Sequence, residues 1–589
     1  MGKSIFFAEV LMYKLRRFLK DYKKECIIGP LCKLFEAVLE LLVPLVMASI
    51  IDVGVKNGDT NYVFKMGGVM VLLAVVGFCS ALVCQYFASR ASQGVGTKIR
   101  RELFAHINSL SHAELDSLGT PSLITRITND VNQVQQSVAM GIRLLTRAPF
   151  IVIGSIVMAM TINFKMTIIF LIATVLIGIT LYFVMSRSIP VFSAMQKKLD
   201  KIGLISRENL SGNRVIRAFS KQAGEKQRID AATEDLAKTS IRVSRLSALL
   251  SPVTFAVTNL AIIAIIWFGA KNVYSGSGML SGDIIALVNY MTQILLAMIV
   301  VANLVVLLTK ASASAARINE VFETKPSVVE KTHDSISVST DERTPKIAFE
   351  DVSFTYGDGD DELSSISFEI KRGQTVGIIG GTGCGKSTLI SLIPRFYDVK
   401  SGRVCVDGVD VKEYPFLQLR KQIGIVPQQS VLFGGSIRDN MKWQNKNATD
   451  EEIVNALKIA QAYDFVSRLD KGLDSHVEQG GKNFSGGQRQ RLCIARALVS
   501  KPEILILDDS FSALDFATDA ALRKALAENT EGMTVLIVTQ RCSTIKSSDL
   551  ILVLDDGCLV GSGTHTALYD SCETYREICL SQLNETEAK

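Results

Sequence analysis

Residues 376–388 read VGIIGGTGCGKST: a short β run followed by Gly380, Gly381, Thr382, Gly383, Cys384, Gly385, Lys386, Ser387 and Thr388, opening an apolar helix from Leu389. Glycines at this spacing let successive backbone N–H groups curl around phosphates at a helix N-terminus, where the dipole favours anions. Lys386 neutralises phosphate charge, and Ser387 supplies a hydroxyl for Mg²⁺. A glycine-rich strand-to-helix turn can be purely structural, but GKS in this context is specific for a nucleoside triphosphate. Downstream, in EILILDDSFSALD, the aliphatic run 504–507 ends in Asp508, placed to hold the Mg²⁺ or its water shell. Alone that run is a weak signal; after a P-loop it is a strong one. Between the two lies NFSGGQRQRLCIARAL, where Ser485, Gly486 and Gly487 precede Gln488 at a helix start carrying Arg489, Arg491 and Arg496. A hydroxyl and glycine amides at a second helix N-terminus suit the γ-phosphate of an ATP held by another subunit's P-loop.

The elements that must position these residues differ sharply between the two parts of the chain. Of 589 residues, 48% are hydrophobic, too many for an ordinary soluble protein, and the excess lies almost wholly before residue 320. The later part has the charge, glycine and aspartate of a soluble α/β domain. A net charge of +6 is modest for this length and gives no argument for a nucleic-acid partner. Six apolar stretches, near 27–51, 67–88, 144–162, 166–187, 251–274 and 283–308, are long enough to cross a bilayer as helices. Lys and Arg gather before the first (Lys14, Arg16, Arg17, Lys20, Lys23, Lys24) and after the second (Arg90, Lys98, Arg100, Arg101), which places both regions in the cytoplasm. The turns at 52–62, 163–165 and 275–282 then lie outside, and the soluble domain inside. No short apolar segment with a small-residue cleavage site opens the chain, so no removable signal peptide is expected.

Long stretches without turn clusters separate spans two from three and four from five, and they are expected to continue the helices into the cytoplasm. Their tips, 117–125 and 206–213, are short polar turns that could lie across a soluble domain; two ordinary helical hairpins read equally well. Lys33, Glu36 and Glu40 share one side of the first span, and Gln85, Asn289, Gln293 and Asn303 add polar points in others. Such residues line a cavity for a cationic or amphipathic solute, or pair internally. Eleven cysteines, scattered without metal-ligand spacing, read as reduced thiols in packing roles.

The whole arrangement resembles the ABC exporter family over nearly the full chain. The resemblance implies an α-helical multi-pass membrane domain of six helices with long cytoplasmic extensions, fused to an α/β P-loop ATP-binding cassette. Residues 1–26 would form an N-terminal elbow, 27–315 the membrane domain, 316–345 a linker and 346–589 the cassette. Tyr356 in VSFTYGD matches the aromatic that stacks on adenine, Gln428 in IGIVPQQ the glutamine that senses Mg²⁺ and the membrane domain, and SALD at 512–515 the loop joining two cassettes. The tips at 117–125 and 206–213 resemble coupling helices. The implied cofactors are ATP and Mg²⁺, the latter on Ser387, Gln428 and Asp508. The implied partners are a second half-transporter, a lipid bilayer and an amphipathic or drug-like solute, with the cell membrane of a bacterium as the setting.

Two positions depart from the family pattern. Asp509 stands where the family has a catalytic glutamate, and Gln540, in VLIVTQR, stands where it has a histidine. One methylene draws the carboxylate back by roughly 1 Å, a displacement that can cost on the order of 10²-fold when a water must be positioned. Gln540 donates a hydrogen bond to a γ-phosphate but carries no titratable charge. Two changes at one nucleotide favour a heterodimer in which this chain's P-loop forms a degenerate site, while intact 485–488 completes the partner's hydrolytic site. The layout is closest to bacterial heterodimeric multidrug exporters. A homodimeric lipid or peptide exporter, and a regulatory membrane subunit that does not transport, remain alternatives. Three features are read as incidental: the acidic run from Gly357 as a solvated turn, His565 as a surface or helix-cap residue, and the Asn209, Asn447 and Asn584 triplets as unglycosylated.

Overall fold

The computed structural model describes residues 16–276, 278–331, 336, 341, 343–357, 359–530 and 532–583. Lys14 and the rest of 1–15 in the elbow, 332–335, 337–340 and 342 in the linker, Asp358 in the acidic turn and Asn584 lie outside them. Two compact units emerge, one from residues up to Asn108 with Thr120–Thr324, the other from Ser109–Gly119 with the residues from Lys325 onward.

The first unit is built on six helical segments long and apolar enough to cross a membrane: Arg17–Val55, Thr60–Ser109, Thr120–Ile162, Phe164–Ser211, Gln222–Tyr274 and Ser281–Glu323. Each contains one of the six expected spans. The helix Thr60–Ser109 has 50 residues, about 75 Å at 1.5 Å per residue, more than twice a hydrocarbon core of about 30 Å. The long inter-span stretches therefore do continue the helices. At most 33% of any apolar window is buried inside the protein, so these side chains are matched to lipid more than to one another. What is buried packs around Phe170, Ile177, Ile265, Leu287, Met291 and Ile294. The Tyr290 hydroxyl in that core donates to Leu41 O at 2.7 Å, fastening the last span to the first without leaving a polar atom unpaired. The acidic and basic residues of the first span pair up: Lys33 Nζ lies 2.6 Å from Glu36 Oε2, and Glu40 Oε2 accepts from Arg147 Nη2 of the third span at 2.6 Å.

The second unit holds a four-stranded antiparallel sheet, in the order Leu363–Ile370, Ile347–Phe354, Ser401–Val406 and Val409–Asp410. Beside it in the fold is a six-stranded sheet ordered Cys558–Gly563, Leu550–Asp555, Thr375–Gly380, Thr534–Val538, Ile504–Asp508 and Ile423–Val426, parallel except at the first strand. Every residue of Ile504–Asp508 and Thr534–Val538 is buried, as a parallel sheet covered on both faces requires. The P-loop follows one strand, Gln540 lies just past the next, and Asp508 ends a third. Three adjacent parallel strands thus deliver the chemistry to one edge, the carboxyl edge where α/β sheets bind ligands.

Two sequence expectations are corrected in this unit. Cys542 and Cys579 are not scattered packing residues: their sulfurs lie in bonding contact, with Cα atoms 5.6 Å apart, while nine other cysteines stand apart as free thiols. His565 is not a surface residue: it is 5% exposed at the first turn of the helix His565–Ser571, with Nδ1 2.8 Å from the Tyr575 hydroxyl. Both errors have one cause. Packing of the C-terminal helices against the segment after Thr534–Val538 joins residues far apart in sequence.

Candidate nucleotide site

Gly383 and Gly385 adopt φ of 84° and 90°, the left-handed region that costs glycine least, and there the chain turns from strand into helix. A Cβ at Gly385 would come within 2.7 Å of the Leu363 side chain, and one at Gly380 within 2.1 Å of Leu554 O, so the loop fits only without side chains at these points. Lys386 opens the helix Lys386–Leu392, is 9% exposed, and donates to Gly380 O at 2.9 Å and Gly381 O at 2.5 Å, with Cys384 Sγ 3.4 Å away. Its ammonium is thereby held over the loop.

Ser387 Oγ donates to Asp508 Oδ1 at 3.1 Å. Burial pushes the Asp508 carboxyl up from the usual carboxylate range; the Ser387 hydrogen bond and the Lys386 charge pull it down, and the Asp509 charge adds to the rise. A hydroxyl beside a buried carboxylate that is costly to ionise alone is a donor pair suited to a hard cation, so these residues fit Mg²⁺. The pocket walls include Thr382, Gly383 and 385–388 with Gln428, Asp508, Asp509 and Gln540, and also Glu362. Asp509 N–H donates to Val538 O at 2.9 Å, and the residue has φ 44°, a conformation aspartate tolerates better than most side chains. Asp509 and Gln540 therefore face the same cavity as the P-loop.

Tyr356 reaches the loop through its hydroxyl, 3.2 Å from Thr388 Oγ1, and its ring is half exposed. Residues 485–488 do not line this pocket. Ser485 caps the helix Gly486–Leu498: its Oγ accepts from Gln488 N–H at 3.3 Å, while Gln488 Oε1 accepts from Ser485 N–H at 2.9 Å. Ser485, Gly486 and Gly487 thus stand at the capped N-terminus of this helix, the end at which a helix dipole favours anions.

A further residue was not foreseen. Tyr397 packs edge-on against Tyr356, with ring centroids 5.3 Å apart, and its hydroxyl donates to Asp116 Oδ2 at 2.9 Å. Asp116 belongs to the short helix His112–Leu118, whose His112 ring lies 4.5 Å from Phe396. Ser111 Oγ accepts from Val328 N–H at 3.0 Å and Glu114 Oε1 from Ser327 N–H at 3.1 Å, so the helix is held by the linker at its start and by Phe396 and Tyr397 of the cassette along its length. The segment that docks is 111–118, starting earlier than the expected tip at 117–125. A Ser-x-x-Glu capping box at Ser111 and Glu114 starts this helix, and Gly119, at φ 71°, ends it. A continuous path of contacts runs from this helix through Tyr397 and Tyr356 to Thr388 of the P-loop.

Comparison with known proteins agrees with this geometry. Residues 26–298 match the model of the ABC transporter transmembrane region, and residues 363–512 that of the ABC transporter family. The chain is 38% identical to the ABC transporter ATP-binding protein YfiB of Bacillus subtilis, over 97% of this chain and 98% of that one. It is 37% identical to Rv1273c of Mycobacterium tuberculosis with the same coverage, and 32% identical to an ATP-dependent lipid A-core flippase of Hahella chejuensis over 88% of each. A solved bacterial Atm1-family ABC exporter with ATP bound has the same fold, with a TM-score of 0.80 at 24% identity over 96% of this chain and all of the other.

Proposed function

We propose, from the premise that this chain belongs to the ABC transporter family and carries both the membrane and the ATP-binding parts of an exporter, that it is the degenerate-site half of a heterodimeric exporter. Two cassettes meet head to tail. This chain's P-loop grips one ATP, while its Ser485, Gly486, Gly487 and Gln488 complete the site on the partner's P-loop. The observation that carries the reading is the pairing of Asp509 and Gln540 in one pocket wall. The groups that would aim water at the terminal phosphorus are shortened or uncharged, while those that bind, Lys386, Ser387 and Asp508, are in place. Ser387 and Asp508, with Gln428 beside them, would hold Mg²⁺, which would supply charge neutralisation at the phosphate oxygens.

Assembly with a second half is supported by the tip near 206–213. The short helix Asn213–Ala218 buries no residue, and Leu210, Val215 and Phe219 around it are 80%, 60% and 71% exposed. Such apolar side chains at the end of a cytoplasmic arm suit a coupling contact with a partner's cassette. In the membrane Lys33 pairs with Glu36 and Arg147 with Glu40, while Gln85, Asn289 and Asn303 are exposed among apolar side chains on the helix surfaces, a mixture that suits amphipathic or drug-like solutes. Bacterial relatives support a bacterial cell membrane as the setting.

The test compares two variants in the assembled pair, made by co-producing this chain with a second half-transporter that carries a catalytic glutamate. Asp509→Ala leaves pair ATPase within about twofold, whereas Ser485→Arg, which obstructs the partner's site, removes most of it; equal losses refute the asymmetry. One observation favours a second reading, a homodimeric lipid exporter: the likeness to the lipid A-core flippase. That reading requires rapid ATP turnover by the chain alone.

A further inference from the structure

Cys542, His565 and Cys579 are each buried, and one ligand atom from each lies within 4.8 Å of the other two. They come from three elements: Cys542 opens the short helix Cys542–Ile545, His565 opens His565–Ser571, and Cys579 sits near the end of Glu573–Leu580. We propose that this cluster is a metal site for a thiophilic divalent ion of the Zn²⁺ class. The ion fastens the C-terminal helices to the segment that carries Gln540.

The donor set makes the first argument. Two thiols and an imidazole are what Zn²⁺ prefers, and a tetrahedral ion with bonds of about 2.0–2.3 Å sets its ligand atoms about 3.5–4 Å apart; the three ligand atoms here lie within 4.8 Å of one another, and the two sulfurs, now in bonding contact, separate on reduction to admit the ion. The compartment makes the second. The structure joins the two sulfurs directly, but the ATP-binding side of an exporter faces the cytoplasm, where thiols are kept reduced and clustered Cys and His residues serve metals. This step rests on the orientation assigned above. Burial makes the third: both cysteines are fully buried, which shields them from soluble oxidants and suits a closed structural site. The surrounding shell also fits. The Tyr575 hydroxyl, itself buried, lies 2.8 Å from His565 Nδ1 and 3.6 Å from Cys542 Sγ. It orients the imidazole as outer partners of ligating histidines do, leaving the other ring nitrogen for the ion.

The site also touches function. Gln582, just past the helix that carries Cys579, accepts from Cys542 N–H at 2.9 Å and donates to Gln540 O at 2.6 Å. Backbone from Gln540 to Cys542 is thus held by the C-terminal segment on both sides of Arg541. A metal clip at Cys542 makes that hold permanent and fixes the approach of Gln540 to the nucleotide.

The experiment uses the full-length chain, purified in detergent with a phosphine reductant and without a histidine tag, then equilibrated with Zn²⁺ and stripped of loose metal. The expected result is close to one Zn²⁺ per chain by elemental analysis, and a thiolate-to-metal charge-transfer band when Co²⁺ replaces it. Cys579→Ser and His565→Gln lose stoichiometric metal, while Tyr575→Phe keeps it with an affinity about 10–100-fold lower. Binding of a fluorescent ATP analogue by each variant distinguishes loss of the site from loss of the fold, and none of these readouts needs transport or a partner chain. Substoichiometric metal in the folded wild type, or recovery of Cys542 and Cys579 as a disulfide that persists in the reductant, overturns the proposal.

Discussion

Replacing Tyr397 by Phe removes one hydroxyl and leaves the ring, which makes it a clean cut in the path between the helix His112–Leu118 and the nucleotide. The lost bond is a donation to a carboxylate, Asp116, at 2.9 Å. Bonds to charged groups are worth about 1.5–3 kcal/mol, but this one is open to water, which returns part of that value, so about 1 kcal/mol is the working figure. That corresponds to roughly fivefold in the equilibrium between docked and undocked helix. Burial, reinforced by the bond to Asp116, pushes the Tyr397 phenol well above its ordinary range, so it stays protonated and the effect does not vary between about pH 6 and 9. The edge-on contact with Tyr356 survives because the ring survives. Hydrogen exchange on the full-length chain should show amide protection at 112–118 falling about fivefold in Tyr397→Phe, with affinity for a fluorescent ATP analogue unchanged. Tyr397→Ala should lower both. If Tyr397→Phe weakens nucleotide binding as much as Tyr397→Ala while leaving exchange at 112–118 untouched, the path as described is wrong.

Other consequences follow from the same geometry. Lys386→Ala removes the only side-chain ammonium the P-loop motif itself provides and should weaken ATP binding about 30-fold or more, read by equilibrium binding on the full chain. Because burial raises the Asp508 carboxyl in the folded chain, protonation competes with Mg²⁺ as pH falls through that raised value. Mg²⁺-dependent ATP affinity should drop by up to about tenfold per pH unit there, and Asp508→Asn should flatten the profile. The linkage sign for the nucleotide-free chain is opposite: the buried neutral acid favours folding below the unfolded carboxylate's pKa, and that contribution is lost as pH rises through the folded value. A thermal scan should therefore show slight stabilisation on acidification in that window, absent in Asp508→Asn. Phe219→Asp places a charge on the exposed arm tip and should uncouple transport in vesicles from nucleotide binding, which stays intact.

The parts of this protein that could be read in the sequence are those encoded by neighbours. Gly380 to Thr388 are contiguous, Asp508 ends an aliphatic run, and six apolar stretches announce themselves by length alone. The capping box at Ser111 and Glu114 is equally local, but the polar run beginning at 117 carries a competing turn signal. What escaped depends on the chain folding back on itself. Glu40 meets Arg147 across 107 positions, and Tyr397 meets Asp116 across 281. Cys542 and Cys579 are 37 residues apart, and no ligand spacing marks them or His565. His565 reads as polar and therefore exposed; the buried Tyr575 hydroxyl, invisible from sequence, is what makes its burial affordable.

The central claim is that this pocket holds ATP well and cleaves it poorly because of Asp509 and Gln540. The direct measurement is ATP cleavage by the full-length chain alone in lipid nanodiscs, beside Asp509→Glu/Gln540→His, with nucleotide binding recorded for both. Residues 485–488 are intact, so in any pair this chain forms with itself each P-loop meets an unaltered signature segment, and Asp509 and Gln540 are what differ from the family pattern. The prediction is undiminished binding in the wild type with turnover about 10²-fold below the roughly 10 s⁻¹ common among enzymes, and a gain of at least about tenfold in the double variant. Wild-type turnover near that common value, unaltered by the two replacements, contradicts it.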